Sequence, residues 1–465
     1  MKKYLRKCID VMLISALCML IAPVFDTQVF AAGNASDRVV HISSFGDFQS
    51  LIEETLVDEK TGEDMRHMAK VVPLCGMNVT IILDKDITLK EDQHLSFGDG
   101  NYVLDLNGHT LKKNVKKITL EGGGSPVSAA GVDNKTSKLT IKGKGTIKCT
   151  GKESYAALDI SEGCDVKLLN GTFSSNNSVI RIDGDGLGLI KTKLTIKNGT
   201  FISEGTDVIY NDEGTLIING GDFRSKDCKA NESNVFPGTY SHSCISDHGL
   251  RSRVTINGGT FDNETSDQPI LECGHITIKG GSFSGKALFY AGMDMYEPYL
   301  HIKGGKFGST KFYPEGYDWC FLDDKHLTYS KNVKLTSAQK KQIRREIRKG
   351  NKERENQKKY APSRTIMSNL TAGKKTIAVK WEKVKKADGY EIEISQNKKK
   401  YDGKISRIFY VPDSKETITK YTEKGYTFKK LKEGSTYWIR IRAFNTVKSV
   451  DYYGAWSKAK KIKTK

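Results

Sequence analysis

The sequence predicts an all-β protein, in which a long parallel β-helix is followed by a smaller β-sandwich. Two observations predict the β-helix: an eight-residue word, written VTINGGTF at Val254–Phe261, recurs along the chain, and most successive copies start 22 to 28 residues apart. That period is one coil of a β-solenoid, whereas helical arrays repeat every 33 or 34 residues or so. The third observation is the loss of the repeat in the last hundred residues, where short alternating runs separated by turns indicate a sandwich.

Residues 1–32 are predicted to be a secretory signal peptide. Four basic residues precede an apolar run at Val11–Phe25, and VFAAG then offers small residues for cleavage. A membrane-spanning helix is the alternative, but such a helix needs about 20 apolar residues. No later segment is long and apolar enough to cross a bilayer, so we expect no transmembrane segment and a secreted or cell-surface protein.

Residues 36–335 are assigned to the β-helix, with a capping helix at its N-terminus. The helix is predicted by apolar residues at helical spacing that follow two polar residues able to cap its start. These residues are Phe48, Leu51, Ile52 and Leu56, after Ser44 and Asp47. The next runs, VTIILDKDITL and YVLDLNGHTL, alternate apolar and polar residues, which is typical of half-buried strands.

Six strict copies of the word predict how a coil is built. The copies are VKLLNGTF at Val166, LTIKNGTF at Leu194, LIINGGDF at Leu216, VTINGGTF at Val254, ITIKGGSF at Ile276 and LHIKGGKF at Leu300. Positions one and three are apolar and are expected to face the interior. Position five is Asn or Gly and position six is always Gly, so we expect positive φ at this pair and a sharp corner after a strand. The final Phe then re-enters the interior, where copies on neighbouring coils are expected to stack about 4.8 Å apart.

A second apolar segment precedes each word, as VIYNDEG precedes LIINGGDF. Two strands and a variable loop per coil are therefore expected. Through LDLNGHTL at Leu104 and the repeated words, this region resembles the right-handed parallel β-helix of the pectin-lyase-like superfamily. The resemblance implies the fold and leaves the activity open, because that superfamily includes lyases, hydrolases, phage tailspikes and non-catalytic adhesins.

Residues 336–362 form a charged segment after the repeats. Ile343 and Ile347 are its only spaced apolar pair, so the segment is expected to be a polar helix or a disordered linker.

Residues 363–465 are predicted to form the β-sandwich, since runs such as TIAVKWEKV, GYEIEIS and TYWIRIRAF alternate as its strands would. Trp381 lies on an early strand, and Leu431 precedes Tyr437 by six residues. On these features the segment resembles a fibronectin type III domain. The resemblance implies that Trp381 is a core residue and that Tyr437 is a corner residue.

The net charge of +19 is unevenly distributed. Residues 1–335 carry 38 Lys and Arg against 42 Asp and Glu, whereas residues 336–465 carry 36 against 13. The basic segment predicts an acidic partner, such as a polysaccharide or a cell-wall polyanion, held by attraction that salt screens. Host glycans are a further candidate, and export argues against nucleic acid.

The segment SDHGLRSR contains the most tempting catalytic candidates. If the protein is an enzyme, they are Asp247, His248 and Arg251, since Asp, His and Arg together can move a proton and hold an acidic sugar in a hydrolase or lyase. Alignment of the repeats instead places Asp247–Gly249 in the slot of Asp212–Gly214, where the residue types are those of turns. We therefore predict plain turn residues here and no catalytic residue.

A long insertion interrupts the repeat between Phe223 and Phe261. Insertions in a rigid solenoid project as loops on one face, and such loops often bind ligands. A tolerated surface loop is the alternative. The residues predicted to contact a sugar are Phe236, Tyr240, His242 and Arg253.

Nine cysteines are present, and seven remain once the signal peptide is removed. Cys228 and Cys244 are the pair to test for a disulfide, with small buried residues in the coils as the favoured alternative. No CxxC spacing and no EF-hand spacing occurs, so we expect no metal site and no cofactor.

These features predict an exported bacterial surface protein that attaches to, or binds, carbohydrate through its β-helix without catalysis. The alternative is a polysaccharide lyase or glycoside hydrolase that acts on acidic glycans.

Overall fold

The structure is a computed structural model, and its description here covers the following residues: 38–55, 73–116, 124–131, 137–151, 154–161, 163–184, 191–226, 243–249, 252–263, 269–290, 298–312, 322–395, 415–419 and 425–465. The chain divides into two compact units, and the main division falls after Arg344. Residues 321–324 belong with the second unit. The predicted signal peptide lies outside the described residues.

The described part of the first unit contains three parallel sheets, of eleven, eight and eight strands. Sheet A contains β1 (Arg38–Ile42), β2 (Met77–Leu83), β5 (Gly100–Asp105), β8 (Ser137–Lys142), β11 (Asp165–Leu168), β14 (Lys193–Ile196), β17 (Thr215–Ile218), β20 (Arg253–Ile256), β23 (His275–Ile278), β26 (Tyr299–Ile302) and β27 (Leu327–Tyr329). Sheet B contains β4 (Leu95–Phe97), β7 (Val127–Ala130), β10 (Ala156–Ser161), β13 (Ser178–Asp183), β16 (Ile209–Asp212), β19 (Ile245–Asp247), β22 (Pro269–Cys273) and β25 (Ala287–Tyr290). Sheet C contains β3 (Ile87–Leu89), β6 (Thr110–Asn114), β9 (Thr146–Thr150), β12 (Thr172–Ser175), β15 (Thr200–Ser203), β18 (Asp222–Ser225), β21 (Thr260–Asn263) and β24 (Ser282–Gly285). The chain visits the sheets in rotation, which is a parallel β-helix.

Each coil from β2 to β25 contributes one strand to each sheet, so the prediction of two strands per coil is wrong. The word VTINGGTF starts in β20, turns at Asn257–Gly259 and ends in β21. Because the corner takes only three residues, apolar positions on its two sides fall into a single short pattern. The word therefore spans two strands rather than encoding one strand and a corner.

Positive φ occurs at the sixth position of the word and not at the fifth, which corrects the expectation for the pair. The sixth-position glycines have φ between 104° and 137°, and they are Gly171, Gly199, Gly221, Gly259, Gly281 and Gly305. At the fifth position of the copies that have glycine there, the backbone of the preceding coil lies too close for a side chain. A Cβ added to Gly258 would lie 2.6 Å from the carbonyl oxygen of Asn219 on the preceding coil.

We expect Gly259→Ala to lower the free energy of unfolding of the β-helix by about 2 kcal/mol, because a side chain at this φ is strained. Its Cβ would also meet the Gly221 carbonyl oxygen at 3.0 Å. Gly308→Ala is the control for positive φ without a close approach, since Gly308 has a φ of 48° and no atom lies within 4 Å of the added Cβ, and we expect a smaller loss there. Denaturant unfolding followed by far-ultraviolet circular dichroism measures both. Equal losses for the two variants would contradict the assigned role of the corner.

Inside the β-helix, equivalent side chains of successive coils stack on one another in rows. The repeated eight-residue word predicts one of these rows, which consists of phenylalanines. Neighbouring rings are 4.8–5.1 Å apart with interplanar angles of 6–13°, so the predicted stacking is confirmed. The rings belong to Phe173, Phe201, Phe223, Phe261, Phe283 and Phe307, all of which are buried.

The N-terminal end of the β-helix is covered by helix α1 (Phe45–Thr55), as predicted. The backbone N–H of Ser44 donates to the Asp47 carboxylate at 2.9 Å, and the Ser44 hydroxyl accepts from the Asp47 N–H at 3.3 Å. This reciprocal cap fixes the start of the helix. The buried ring of Phe48 packs edge-on against Phe97 of the first coil, with centroids 5.6 Å apart.

Helix α2 (Ser337–Tyr360) occupies most of the charged segment, so the disordered alternative is wrong. Its first turns cover the C-terminal end of the β-helix. The Gln339 side chain donates to the carbonyl oxygen of Thr310 at 2.8 Å, and the Gln342 side chain accepts from the N–H of Phe312 at 2.8 Å. Ile343 is fully buried. The helix thus satisfies backbone groups that the last coil would otherwise leave without partners.

The second unit contains two antiparallel sheets among its described residues. One contains β28 (Met367–Ala372), β29 (Ile377–Trp381) and β32 (Gly425–Phe428); the other contains β30 (Gly389–Ser395), β31 (Lys415–Thr419), β33 (Thr436–Val447), β34 (Val450–Tyr453) and β35 (Lys460–Lys463). Trp381 is buried in the core. The Tyr437 hydroxyl accepts a hydrogen bond from the Lys432 N–H at 3.0 Å, which is the expected corner.

Two buried ion pairs link β30 and β33. Glu391 lies opposite Arg442, and Glu393 lies opposite Arg440, with Nε to Oε2 distances of 2.5 Å in both pairs. The Trp456 ring lies 4.3 and 4.5 Å from the two guanidinium carbons, within cation–π range. Both glutamates are buried, so their charges depend on these partners.

The four cysteines whose side chains the structure describes are buried, namely Cys75, Cys149, Cys164 and Cys244. The thiol of Cys244 points to the carbonyl oxygens of Phe223 and Asp262, at 3.6 and 3.5 Å. This arrangement favours the alternative of small buried residues in the coils. Cys228 lies outside the described residues, so the Cys228–Cys244 pair is not assigned.

Candidate functional site

The residues singled out in the sequence fall in different places. Phe236, Tyr240, His242 and Arg251 lie outside the described residues. Asp247, His248 and Arg253 are described, and they lie in three distinct environments.

Asp247 lies in strand β19, where its register partner on β16 is Asn211 rather than Asp212. The alignment made from the sequence is therefore off by one residue, and the prediction of a turn residue is wrong for Asp247, which lies in a strand. The carboxylate faces inward and is fully buried. Its Oδ1 accepts from the Asn211 side chain at 2.7 Å and its Oδ2 accepts from the His275 N–H at 3.1 Å. Burial raises the pKa of Asp247 to about 7.

This pKa predicts a pH dependence of stability. Between about pH 4 and pH 7 the unfolded chain loses the Asp247 proton while the folded protein keeps it, so the unfolded state binds fewer protons. The free energy of unfolding therefore falls as pH rises through that window, by up to about 4 kcal/mol from this group. Asp247→Asn removes the titration, and we expect a flatter profile between pH 5 and pH 8 in denaturant unfolding. Parallel profiles for wild type and variant would contradict the assignment.

His248 is the next residue and lies on the opposite, outward side of sheet B. Its ring stacks on Tyr210 at 5.3 Å, and its Nε2 is 2.7 Å from the Ser246 hydroxyl. Arg253 begins β20 of sheet A, where its Nη1 donates to the Ser252 carbonyl oxygen and lies 3.0 Å from the His275 Nδ1. Asp247 and Arg253 thus both contact His275, whereas His248 lies on the outward face and joins a separate polar cluster.

That cluster is a row of four planar side chains on the outward face of sheet B, which we term the planar stack: Tyr155, Arg181, Tyr210 and His248. The Arg181 guanidinium lies between the two tyrosine rings, 4.6 Å from the Tyr155 centroid and 4.7 Å from the Tyr210 centroid. Successive parallel strands are about 4.8 Å apart, so planar groups on neighbouring coils meet face to face. The stack follows the β-helix axis over four coils and presents the edges of its members.

Two carboxylates, those of Asp183 and Asp159, lie close to Arg181 in the planar stack. The Arg181 Nε donates to Asp183 at 2.7 Å, and the Tyr155 hydroxyl lies 3.4 Å from the same carboxylate oxygen. Asp159 is opposite Arg181 in the strand register, and its buried Oδ1 has no hydrogen-bond partner among the described residues. Burial and the nearby Asp183 raise the pKa of Asp159, although Arg181 opposes this effect.

The cluster offers a polar ligand both donors and acceptors at fixed spacing. Burial raises the pKa of both stack tyrosines, so their phenols are neutral and can donate at pH 7. The side chains of Arg181 and Asp183 keep 22% and 29% of their surface exposed, so the row is recessed but accessible.

Sequence reasoning missed most of this site. Asp159, Arg181, Tyr210, Ser246 and Glu272 occupy one register column of sheet B. The sequence signal was present in the segment before each word, at positions that seemed merely variable. Aligning those segments residue by residue places the five side chains in one line.

Among the described residues, no group of His, Cys, Asp and Glu side chains is arranged to hold a metal ion. In the same part of the chain, no helix is both long and apolar enough to span a membrane.

Comparison with known proteins concerns the second unit. A model of the fibronectin type III domain matches residues 360–457. The FN1-FN3 domains of chicken CNTN1 are 20% identical over 22% of this chain and 30% of that chain, with a TM-score of 0.17. A fibronectin type III domain derived from human KIAA0970 protein is 21% identical over 24% of this chain and 80% of that chain, with a TM-score of 0.16. No curated protein matches the chain, and no pectin-lyase family model matches the β-helix.

Proposed function

We propose that the protein is an exported cell-surface protein that binds carbohydrate, without catalysis, through the outward face of sheet B. The planar stack carries this proposal. A fibronectin type III domain supports a surface or adhesion role, because such modules are typical of extracellular proteins. The amino-terminal signal sequence predicts the export that this role requires.

The position of the planar stack explains how the rigid outward face of sheet B could recognise a sugar. The strand register holds Arg181 in β13 and Tyr210 in β16. Tyr155 and His248 lie next to the ends of β10 and β19, and their backbone N–H groups donate to Gly124 and Asn211 on the neighbouring coils, so the spacing of the four stack members is fixed. Preorganised groups lose little conformational entropy on binding. Hydroxyl-rich ligands suit such a row, because each sugar hydroxyl can both donate and accept.

A lyase or hydrolase is the second candidate, and Asp159 is the observation that favours it. A carboxyl group with a raised pKa beside Arg181 and Asp183 is the kind of group that acts as a general acid. The purified protein should therefore be incubated with pectin, alginate, hyaluronan and host glycans. Retention without new reducing ends or unsaturated uronides supports binding alone. Turnover that is lost in Asp159→Asn would replace the proposal with an enzyme.

The basic carboxy-terminal segment supplies a second proposed interaction, with a cell-wall polyanion. Residues 336–465 hold 36 basic against 13 acidic side chains, and electrostatic attraction between exposed charges weakens as salt shortens the screening length to about 3 Å at 1 M. We expect washing with about 1 M sodium chloride to release most of the protein from cells, while about 0.05 M releases little. An uncharged osmolyte at matched osmolality is the control. Protein that stays bound in high salt would refute electrostatic retention.

A further inference from the structure

We propose that the outward face of sheet B selects an uncharged glycan and disfavours acidic ones. This inference rests on the proposed function and names the ligand class of the same site. It differs from the charge preference expected of the carboxy-terminal segment, so the two surfaces would bind different polymers.

The charge balance of the face is the first argument. The described strands of sheet B carry five outward-facing charged residues, of which only one is basic. They are Arg181, Asp159, Asp183, Asp212 and Glu272. A uronate carboxylate placed among them would meet like charges and be repelled.

The state of Arg181 is the second argument. Recognition of a sugar carboxylate by arginine uses the planar fork of the guanidinium in a bidentate contact. Here the Nε side of the fork already donates to Asp183, and both faces of the guanidinium are covered by Tyr155 and Tyr210. The one outward-facing cation of the described strands is therefore engaged by the protein itself.

The acceptors that surround Arg181 are the third argument. The Asp183 side chain keeps 29% of its surface exposed beside Arg181, so a sugar hydroxyl can donate to its carboxylate. Asp212 extends this row of acceptors to the next coil, in register with Asp183. Neutral sugars present many hydroxyl donors and no charge that the carboxylates would repel.

The test compares two probes on the full protein by isothermal titration calorimetry: chitotetraose, which is uncharged, and tetragalacturonate, which is acidic. Tyr210→Ala removes the centre of the stack, and Tyr210→Phe keeps the ring while removing the hydroxyl. Lys167→Ala, on the outward face of sheet A, is the matched control for a surface change elsewhere. Thermal unfolding of each variant checks that it folds.

We expect chitotetraose binding that weakens at least tenfold in Tyr210→Ala and is unchanged in Lys167→Ala, with a smaller loss in Tyr210→Phe. Tetragalacturonate binding through the basic segment should be unchanged in all three variants. If tetragalacturonate binds as tightly as chitotetraose or more tightly, and loses that binding in Tyr210→Ala, the selection for uncharged glycans is overturned while the site stands. If neither probe shows binding that depends on Tyr210, both this inference and the proposed function fail.

Discussion

Phe223→Ala is expected to lower the free energy of unfolding of the β-helix by about 4 kcal/mol, the largest loss we predict for a single change in that unit. Phe223 is fully buried, and its ring lies 4.8 Å from both Phe201 and Phe261. Truncation therefore leaves a cavity between two rings that the backbone ladder holds in place, and the coils cannot close it. The lost stacking contacts add to the lost burial.

Far-ultraviolet circular dichroism in denaturant measures this loss, because most strands belong to the β-helix. Tryptophan fluorescence becomes the internal reference in a Trp319→Phe background, since Trp319 belongs to the first unit while the other three tryptophans, Trp381, Trp438 and Trp456, lie in the second. Phe223→Leu is the control, with an expected loss of about 1 to 2 kcal/mol because most of the apolar volume remains. A loss below about 1 kcal/mol for Phe223→Ala would show that the row of phenylalanines does not hold the coils together.

Arg442→Met is expected to destabilise the fibronectin type III unit by about 3 to 5 kcal/mol. The change removes the guanidinium that donates to the buried Glu391 carboxylate, so this carboxylate loses a charge-assisted hydrogen bond in the interior. It also removes a guanidinium that lies 4.5 Å from the Trp456 ring. The tryptophan fluorescence transition in denaturant reports the change directly.

The double variant Glu391→Met with Arg442→Met distinguishes two causes of the lost stability: the buried Glu391 carboxylate that has lost its cation, and the missing packing of the Arg442 side chain. Replacement of a buried ion pair by apolar residues of similar size is often neutral, so the double variant should regain most of the stability lost in Arg442→Met. A double variant as unstable as the single one would contradict this reading. It would assign the loss to packing of the Arg442 stem against its aromatic neighbours.

Most of the fold was predictable because its constraints are local. A corner that needs glycine and a ring that must stack leave a fixed spacing in the sequence, and the word containing Gly259 and Phe261 therefore predicts a solenoid. The sandwich was predictable on the same grounds, through Trp381 and Tyr437. The third strand of each coil was missed because a three-residue corner leaves no composition change between two strands.

The candidate site was less predictable, and the reason is physical. Outward-facing positions are not selected for burial, so Asp159, Arg181 and Tyr210 share no residue type that a repeat could reveal. Only the strand register places them in one column, and the register depends on coil lengths that vary. The one-residue error at Asp247 has the same origin, since counting back from Gly249 assumes equal turns on neighbouring coils.

The central claim is that the outward face of sheet B is the glycan-binding surface. Hydrogen exchange of backbone amides, measured by mass spectrometry with and without chitotetraose, tests it most directly. The account predicts slower exchange in peptides that cover β10, β13 and β16, with no change in peptides that cover β2 and β5 of sheet A. Protection confined to sheet A or to the second unit, or no protection in the presence of bound sugar, would contradict it.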